Sequence, residues 1–207
     1  MPRAGYGDCV VRARMGESEW RAAPPSAAAV RPPLCLVCGK GAWRGEQLRI
    51  ISHGLRPRGQ LGPSSATGSS KPTRRSVLAR RYRCAVEGCG AVMLVAPASV
   101  APRLQYSACA VGLAVALWAK IDGEMSRLPA DVVAQGSGAS SGRQLRRWTA
   151  AIAKRKIFPG LSRSLDLVAS SLVQAGLAAQ CLAGWASSRF RHGPLSSQAF
   201  AGAEHLP

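Results

Sequence analysis

Acidic residues are scarce in this sequence. Only 10 Asp and Glu occur among its 207 residues. Two-metal nuclease and recombinase sites need clustered carboxylates, and the candidates are few and lack a catalytic context: Asp122, Glu124, Asp131 and Asp166. A Gly-rich phosphate loop followed by Lys and Ser or Thr is missing, and none of the three histidines lies in a recognisable nucleophile motif. The sequence therefore predicts a protein that is not an enzyme and has no catalytic residues.

Long apolar runs are also missing. The longest, Ala108 to Ala119, is shorter than the roughly 20 residues that an apolar helix needs to cross a bilayer. The start of the chain, Met1 to Arg14, is interrupted by charges and has no apolar core of the kind that a signal peptide requires. We therefore expect a soluble cytoplasmic protein with no membrane partner. In a reducing compartment, close cysteine pairs indicate metal binding rather than disulfides.

Basic residues, in contrast, are abundant. The 28 Lys and Arg give a formal net charge of +18. Such a charge favours a polyanionic partner, and nucleic acid is the commonest one inside a cell. An alternative remains open, because Arg, Ala, Gly and Pro are all frequent and part of the excess could reflect a GC-rich coding sequence. The expected partner is double-stranded DNA, and the expected location is the nucleoid.

Two close cysteine pairs are the sharpest local signal. They are Cys35-x-x-Cys38 and Cys84-x₄-Cys89, and each is followed by Gly. Zn²⁺ takes four ligands tetrahedrally, and a short turn presents two sulfurs from one side. We expect one structural Zn²⁺ as cofactor, with metal ligands Cys35, Cys38, Cys84 and Cys89. Four thiolates leave no open position for water, so the zinc would contribute to the fold and not to catalysis.

The remaining candidate ligands are weaker. His53 could replace a thiolate, although a strand or loop histidine with a backbone partner is the more ordinary interpretation. Cys109 and Cys181 lie on apolar helical stretches, where a free cysteine behaves as a small hydrophobic residue, and Cys9 stands apart from both pairs. The four-residue spacing in Cys84-x₄-Cys89 is the least regular part of the pattern.

The pattern along the chain predicts an α+β protein: a small N-terminal zinc ribbon, then an all-helical helix-turn-helix domain, with disordered termini. Extended segments are expected around 47–53, 81–84 and 91–95, because β-branched and aromatic residues concentrate there. Pro pairs near residues 24 and 32 argue against a helix before the first cysteine pair. The predicted parts are a disordered leader at 1–33, a ribbon with a Gly/Ser/Pro-rich loop at 34–96, the helix-turn-helix domain at 106–157, an amphipathic helix at 163–187 and a disordered tail at 188–207.

Helical periodicity begins near Tyr106. Ser107 is the expected N-cap of a first helix, and a short second helix is expected within 125–134. A third helix, about 141–156, is predicted to turn Leu145, Trp148, Ile152 and the methyl group of Thr149 inward. The inward face predicted for the last helix, about 165–185, comprises Leu165, Val168, Leu172, Leu177, Cys181 and Trp185.

Two basic segments contain no acid, although a solvated helix face normally mixes both signs. The first precedes the second cysteine pair and the other spans the third helix. Unpaired positive charge of this kind points to phosphates, and the helix order is typical of a unit whose last helix enters the major groove. The predicted nucleic-acid-binding residues are Arg74, Arg75, Arg80, Arg81, Arg143, Gln144, Arg146, Arg147, Lys154, Arg155 and Lys156.

The segment from Arg80 to Val92, then Pro97, Pro102-Arg103 and Tyr106-Ser107, resembles a bacterial family of zinc-ribbon and helix-turn-helix proteins related to insertion-sequence transposases. The first cysteine pair with Gly39, the segment Ser52 to Arg56 and Leu145 to Trp148 are also similar to members of that family. The resemblance covers about residues 34–157. It implies that the four cysteines bind zinc and that the helix from Arg143 to Lys156 reads DNA.

This chain departs from the family pattern in two respects: the usual second spacing is two residues, and no acidic catalytic domain follows. The expected function is therefore that of a non-catalytic, zinc-containing DNA-binding protein, transposase-related or a regulator of transposon origin. Two alternatives stay open. One is a zinc-ribbon RNA-binding protein, and the other is a degenerate transposase fragment that acts with a catalytic transposase partner. A homodimer formed through the last helix is a further possibility.

Overall fold

The computed structural model of the chain describes residues 9–63, 75–100, 104, 106–129, 132–133, 138–158, 160–161 and 169–205. The side chains of 138–141 are outside this description. The protein is of mixed α/β type and divides into two compact units. Residues 1–59 and 76–104 form the first, which we call the cysteine unit. Residues 60–75 and 105–207 form the second, which we call the helical unit.

A four-stranded sheet organises the cysteine unit. Its strands lie in the order β1-β6-β5-β4, and the bounds are β1 Val10–Ala13, β4 Ile50–Gln60, β5 Arg75–Cys84 and β6 Val92–Pro97. Strand β6 pairs antiparallel with β5, where Tyr82 lies opposite Met93, and parallel with β1, where Val10 lies opposite Leu94. A separate hairpin joins β2 Trp43–Arg44 to β3 Gln47–Leu48. The extended segments predicted near 47–53, 81–84 and 91–95 lie in strands except at Arg49 and Ala91.

The segment 9–33 is part of this fold and not a disordered leader. It contains β1 and a short helix, α1, Glu17–Ala22. The indole of Trp20 is 1% exposed and donates a hydrogen bond to the carbonyl of Leu78 (2.8 Å). The Tyr82 hydroxyl donates to the carbonyl of Ala27 (2.7 Å). A parallel pairing between strands some 80 residues apart has no local periodicity, so the sequence pattern does not reveal it.

The described residues of the helical unit form four α-helices: α2 Ala108–Lys120, α3 Gly138–Ala153, α4 Ser171–Ala183 and α5 Leu195–His205. The predicted cap of α2 is confirmed, because the Ser107 hydroxyl accepts from the backbone N–H of Ala110 (3.1 Å). The predicted inner face of α3 is also confirmed: Leu145, Trp148, Thr149 and Ile152 are all buried. The rings of Tyr106 and Trp148 meet edge to face with centroids 4.9 Å apart, which fixes α3 near the start of α2.

The tail also departs from its prediction. Helix α5 lies within the segment 188–207 that was expected to be disordered, and it packs on both α2 and α4. Small residues let the helix backbones approach closely. A Cβ built on Gly202 would overlap the carbonyl oxygen of Leu182, and one built on Gly112 would lie 2.9 Å from the carbonyl oxygen of Ala199. The amphipathic pattern is weak here because Ala and Gly, not large apolar residues, form the contact.

The inner face of α4 differs from its prediction for the same reason. The buried residues include Ala175, Ala178, Ala179 and Leu182, and the helix packs mainly against α2 and α5. Trp185, predicted to face inward, is 45% exposed. Leu165 and Val168 lie outside the described residues.

The second helix of the predicted helix-turn-helix is reduced, in the described residues, to a single 3₁₀ turn at Met125–Arg127. Pro129 follows this turn, and a proline at that point removes the N–H that would continue a helix from 125. Residues 130–131 and 134 lie outside the described residues. The helix-turn-helix arrangement therefore stays a prediction.

Candidate metal centre

The four predicted ligands come together. The Sγ atoms of Cys35, Cys38, Cys84 and Cys89 all lie within 4.8 Å of one another. Cys35 Sγ is 3.8 Å from Cys89 Sγ, and Cys38 Sγ is 3.8 Å from Cys84 Sγ. Each of these contacts joins the first turn to the second, so the cluster links two segments that are about 50 residues apart in sequence.

These distances fit a tetrahedral zinc site. Four sulfurs at a Zn–S distance of about 2.3 Å occupy tetrahedral corners about 3.8 Å apart. A disulfide would need sulfurs about 2 Å apart, and the sulfurs here are too distant for that. The donor set, four thiols with no carboxylate or imidazole, is one that zinc accepts in closed structural sites. The residues therefore fit a metal ion, compatible with zinc.

Glycines shape both cysteine turns. Gly39 and Gly90, each directly after the second cysteine of its pair, have positive φ angles of 68° and 58°. This left-handed conformation is strained for other residues, which explains why Gly occupies both positions. The longer second turn uses a third left-handed residue, Gly88 (φ 74°), and the Cys89 N–H donates to the carbonyl of Val86 (3.0 Å). The two extra residues between Cys84 and Cys89 form an additional turn, and the sulfurs of both cysteines still reach the cluster.

Backbone N–H groups face the sulfurs. The Lys40 N–H hydrogen-bonds to Cys38 and lowers the pKa of that thiol. Val86 and Ala91 direct their N–H groups at Cys84 and Cys89 in the same way. Burial nevertheless raises the pKa of Cys89 and raises that of Cys84 to about 12. Buried thiols of this kind become stable thiolates only when a cation lies among them, since a bound metal deprotonates its sulfur ligands.

Other candidate ligands lie apart from the cluster. In the part of the chain that the structure describes, no other group of three or more His, Cys, Asp or Glu comes close enough to hold a metal. His53 is exposed on β4, and Cys109 and Cys181 lie on α2 and α4. Cys9 is buried in the same apolar core as Cys35. Desolvation raises its pKa, and the neighbouring Cys35 raises it further, so Cys9 behaves as a buried neutral thiol.

The DNA-contacting residues predicted on α3 and just after its end at Ala153 lie mostly on the surface. Gln144 is half-buried, and the other six are exposed: Arg143, Arg146, Arg147, Lys154, Arg155 and Lys156. The segment 138–156 has no acidic residue. Within the described residues, neither Arg146 nor Arg147 has an ion-pair partner. The exposed side of α3 is therefore uniformly positive.

The basic residues of β5 are placed differently. Arg80 is half-buried, and its Nε donates to the carbonyl of Pro25 (2.7 Å). Arg75 donates from a terminal nitrogen to the carbonyl of Pro63 (3.2 Å), and Arg81 is half-buried. Arg74 lies outside the described residues. Arg80 and Arg75 thus hold their own units together, a use that the charge pattern did not indicate.

No helix among the described residues has the length and apolarity to cross a membrane. Comparison with protein-family models, with curated proteins and with solved structures gave no match.

Proposed function

We propose that this chain is a non-catalytic, zinc-containing DNA-binding protein, related to transposases or a regulator of transposon origin. In this proposal the cysteine unit is a zinc ribbon, and the helical unit presents α3 to the DNA. The observation that carries the proposal is the exposed side of α3, which has many positive charges and no acid, opposite a fully buried apolar side.

The positive charges on α3 repel one another and destabilise the helix unless a bound polyanion neutralises them. Like charges four residues apart on a helix, such as Arg143 and Arg147, repel each other. A solvated helix face usually relieves this repulsion with interspersed acids, and α3 has none. Phosphate groups would neutralise the same charges and release counterions, which is the main source of affinity for duplex DNA.

The two ends of α3 suggest different roles. Arg143 and Gln144 lie in its N-terminal half, which is the part of a recognition helix that reaches base edges, and Arg147 lies one turn after Arg143 on the same face. Arginine and glutamine are also side chains that pair bidentately with guanine and adenine. The Lys154–Lys156 triplet follows the C-terminal end of the helix, where we assign it to backbone phosphates.

Zinc has a structural role in this proposal. The cysteine unit has a small core around Ile50, Tyr82 and Met93, and the four cysteines border that core. A core of this size benefits from a metal that ties its segments together. The ribbon would then hold its basic strands in a fixed position relative to one another.

The test is the double variant Arg146→Ala/Arg147→Ala. We expect its affinity for duplex DNA to fall about tenfold or more, and the slope of log affinity against log salt to flatten by up to about 2, because two positive charges at the DNA surface are lost. Fluorescence anisotropy with a labelled duplex at several salt concentrations measures both quantities.

The matched control is Arg189→Ala/Arg191→Ala. It removes the same two charges from exposed positions of the helical unit that lie outside α3. We expect it to change the salt slope much less. Equal losses in the two double variants, or no loss in either, would reject α3 as the DNA-contacting element. Stronger competition by structured RNA than by duplex DNA at matched salt would favour the RNA-binding alternative.

A further inference from the structure

One tryptophan of the cysteine unit is placed unusually. Trp20, Trp118 and Trp148 are at most 4% exposed, whereas Trp43 is 55% exposed. An aromatic ring gains substantially from burial, so a ring left in water on a well-formed hairpin suggests a ligand that covers it. Trp43 took no part in the sequence-based site, since a single Trp in a short strand carries no spacing signal.

Backbone hydrogen bonds hold the residues next to Trp43 against the segment that leads into the first cysteine turn. Ala42 donates its N–H to the carbonyl of Pro33 (2.8 Å) and accepts from Arg49 (2.7 Å). Trp43 pairs across the hairpin with Leu48, and Cys38 precedes it by only five residues. A ring mounted on a fixed backbone loses little conformational entropy when a ligand stacks on it.

One cation contacts this ring, and two more are exposed close to it in the sequence. The guanidinium carbon of Arg31 lies over it, 5.6 Å from the ring centroid, and Lys40 and Arg44 are exposed nearby in sequence. Between Arg31 and Arg58 the sequence has six Lys and Arg and a single acid, Glu46. The other exposed tryptophan, Trp185, lies in a segment without any charged residue from Leu167 to Ser188. Of the two exposed tryptophans in the described residues, Trp43 is the one with a cation over its ring.

We propose that Trp43 is a stacking platform for an unpaired nucleobase, so that the β2–β3 hairpin binds single-stranded nucleic acid. A base has a flat π face that stacks on an exposed indole, and the flanking phosphates are neutralised by Arg31, Lys40 and Arg44. An intact duplex hides its base faces, so it does not use this platform. The inference rests on the proposed function only in taking nucleic acid as the partner, and it concerns a different unit from α3.

The test compares Trp43→Ala with the matched control Trp185→Ala. The probes are a labelled 12-nucleotide oligothymidine, an oligouridine of the same length and a duplex, all at one salt concentration. We expect Trp43→Ala to bind both single strands about tenfold or more weakly, which is the usual effect of losing one stacked base, and to bind the duplex like the wild type. Trp185→Ala should match the wild type with all three probes.

Trp43→Phe provides a second readout that does not depend on the alanine variant keeping its fold. Single strands should quench tryptophan emission in the wild type and in Trp185→Ala, and the quenching should largely disappear in Trp43→Phe. Wild-type single-strand affinity in Trp43→Ala, or equal losses for single strand and duplex, would overturn the platform. The platform would also be overturned if Trp43→Ala changed the oligomeric state of the protein and left its affinity for the oligonucleotides unchanged. Duplex binding is measured separately from single-strand binding. The experiments can therefore support the stacking role of Trp43 and reject the DNA-binding role of α3, or support α3 and reject Trp43.

Discussion

Arg155 has a backbone conformation that usually belongs to glycine. Its φ angle is 55°, and it follows the end of α3. The N–H of Lys156 donates to the carbonyl of Ala151 and the N–H of Arg155 to that of Ile152, both at 2.8 Å. This is the Schellman arrangement, in which the left-handed position favours Gly. A cation at the negative end of the helix dipole is itself favourable, so the basic triplet has a structural use as well as the proposed DNA contact.

Replacing Arg155 with Gly should therefore stabilise the helical unit relative to a charge-matched control. Lys156→Gly removes the same charge three residues beyond the last helical residue, but Lys156 has no left-handed φ to relieve. We expect Arg155→Gly to exceed Lys156→Gly in free energy of unfolding by about 1 kcal/mol, since that is the approximate cost of a left-handed non-glycine residue. Urea denaturation followed by circular dichroism measures the difference. Equal stabilities would show that Arg155 carries no strain.

At the scale of helices and strands, local chemistry decided what could be predicted. The turn glycines, the Ser107 cap and the inner face of α3 depend on neighbouring residues, and each was recognisable in the sequence. Strand β1 and helix α5 depend on distant partners. Strand β1 is only four residues long, and α5 meets its neighbours through Ala and Gly, which leave no strong hydrophobic period. Trp185 was predicted to face inward because the helix was expected to continue to residue 185, whereas α4 ends at Ala183.

The close contact between α5 and α4 makes a sharp prediction about two glycines. Gly202→Ala places a Cβ against the Leu182 carbonyl, so the helices must separate, and we expect a loss of about 1–3 kcal/mol in stability. Gly176→Ala on α4 meets nothing within 4 Å and should gain up to about 1 kcal/mol from helix propensity. Both variants add one methyl group to a helix. A lower melting temperature for Gly202→Ala and a higher one for Gly176→Ala would therefore separate the packing effect from helix propensity. A neutral Gly202→Ala would mean that α5 does not dock on α4.

At the scale of the whole molecule, the two units are stabilised by different means. The core of the cysteine unit contains Cys35 and Cys84, with Cys38 and Cys89 packed against it, and the segment 9–33 joins this core through Trp20 and through the hydrogen bond from Tyr82 to Ala27. The helical unit has its own apolar core, formed by α2, α4 and α5, and contains none of the four ligands. Metal binding should therefore stabilise the cysteine unit and have little effect on the stability of the helical unit.

Metal removal from the full chain tests this division. We expect one zinc per chain, and we expect chelation to unfold the cysteine unit while most of the helical circular dichroism at 222 nm persists, because the helices lie mainly in the other unit. Cys84→Ser should bind far less zinc, whereas Cys181→Ser, which changes a half-buried thiol on α4, should keep the full equivalent. Elemental analysis with thiol titration gives the stoichiometry. Less than about a tenth of an equivalent after metal-replete expression, or simultaneous loss of both units on chelation, would contradict a zinc site confined to the cysteine unit.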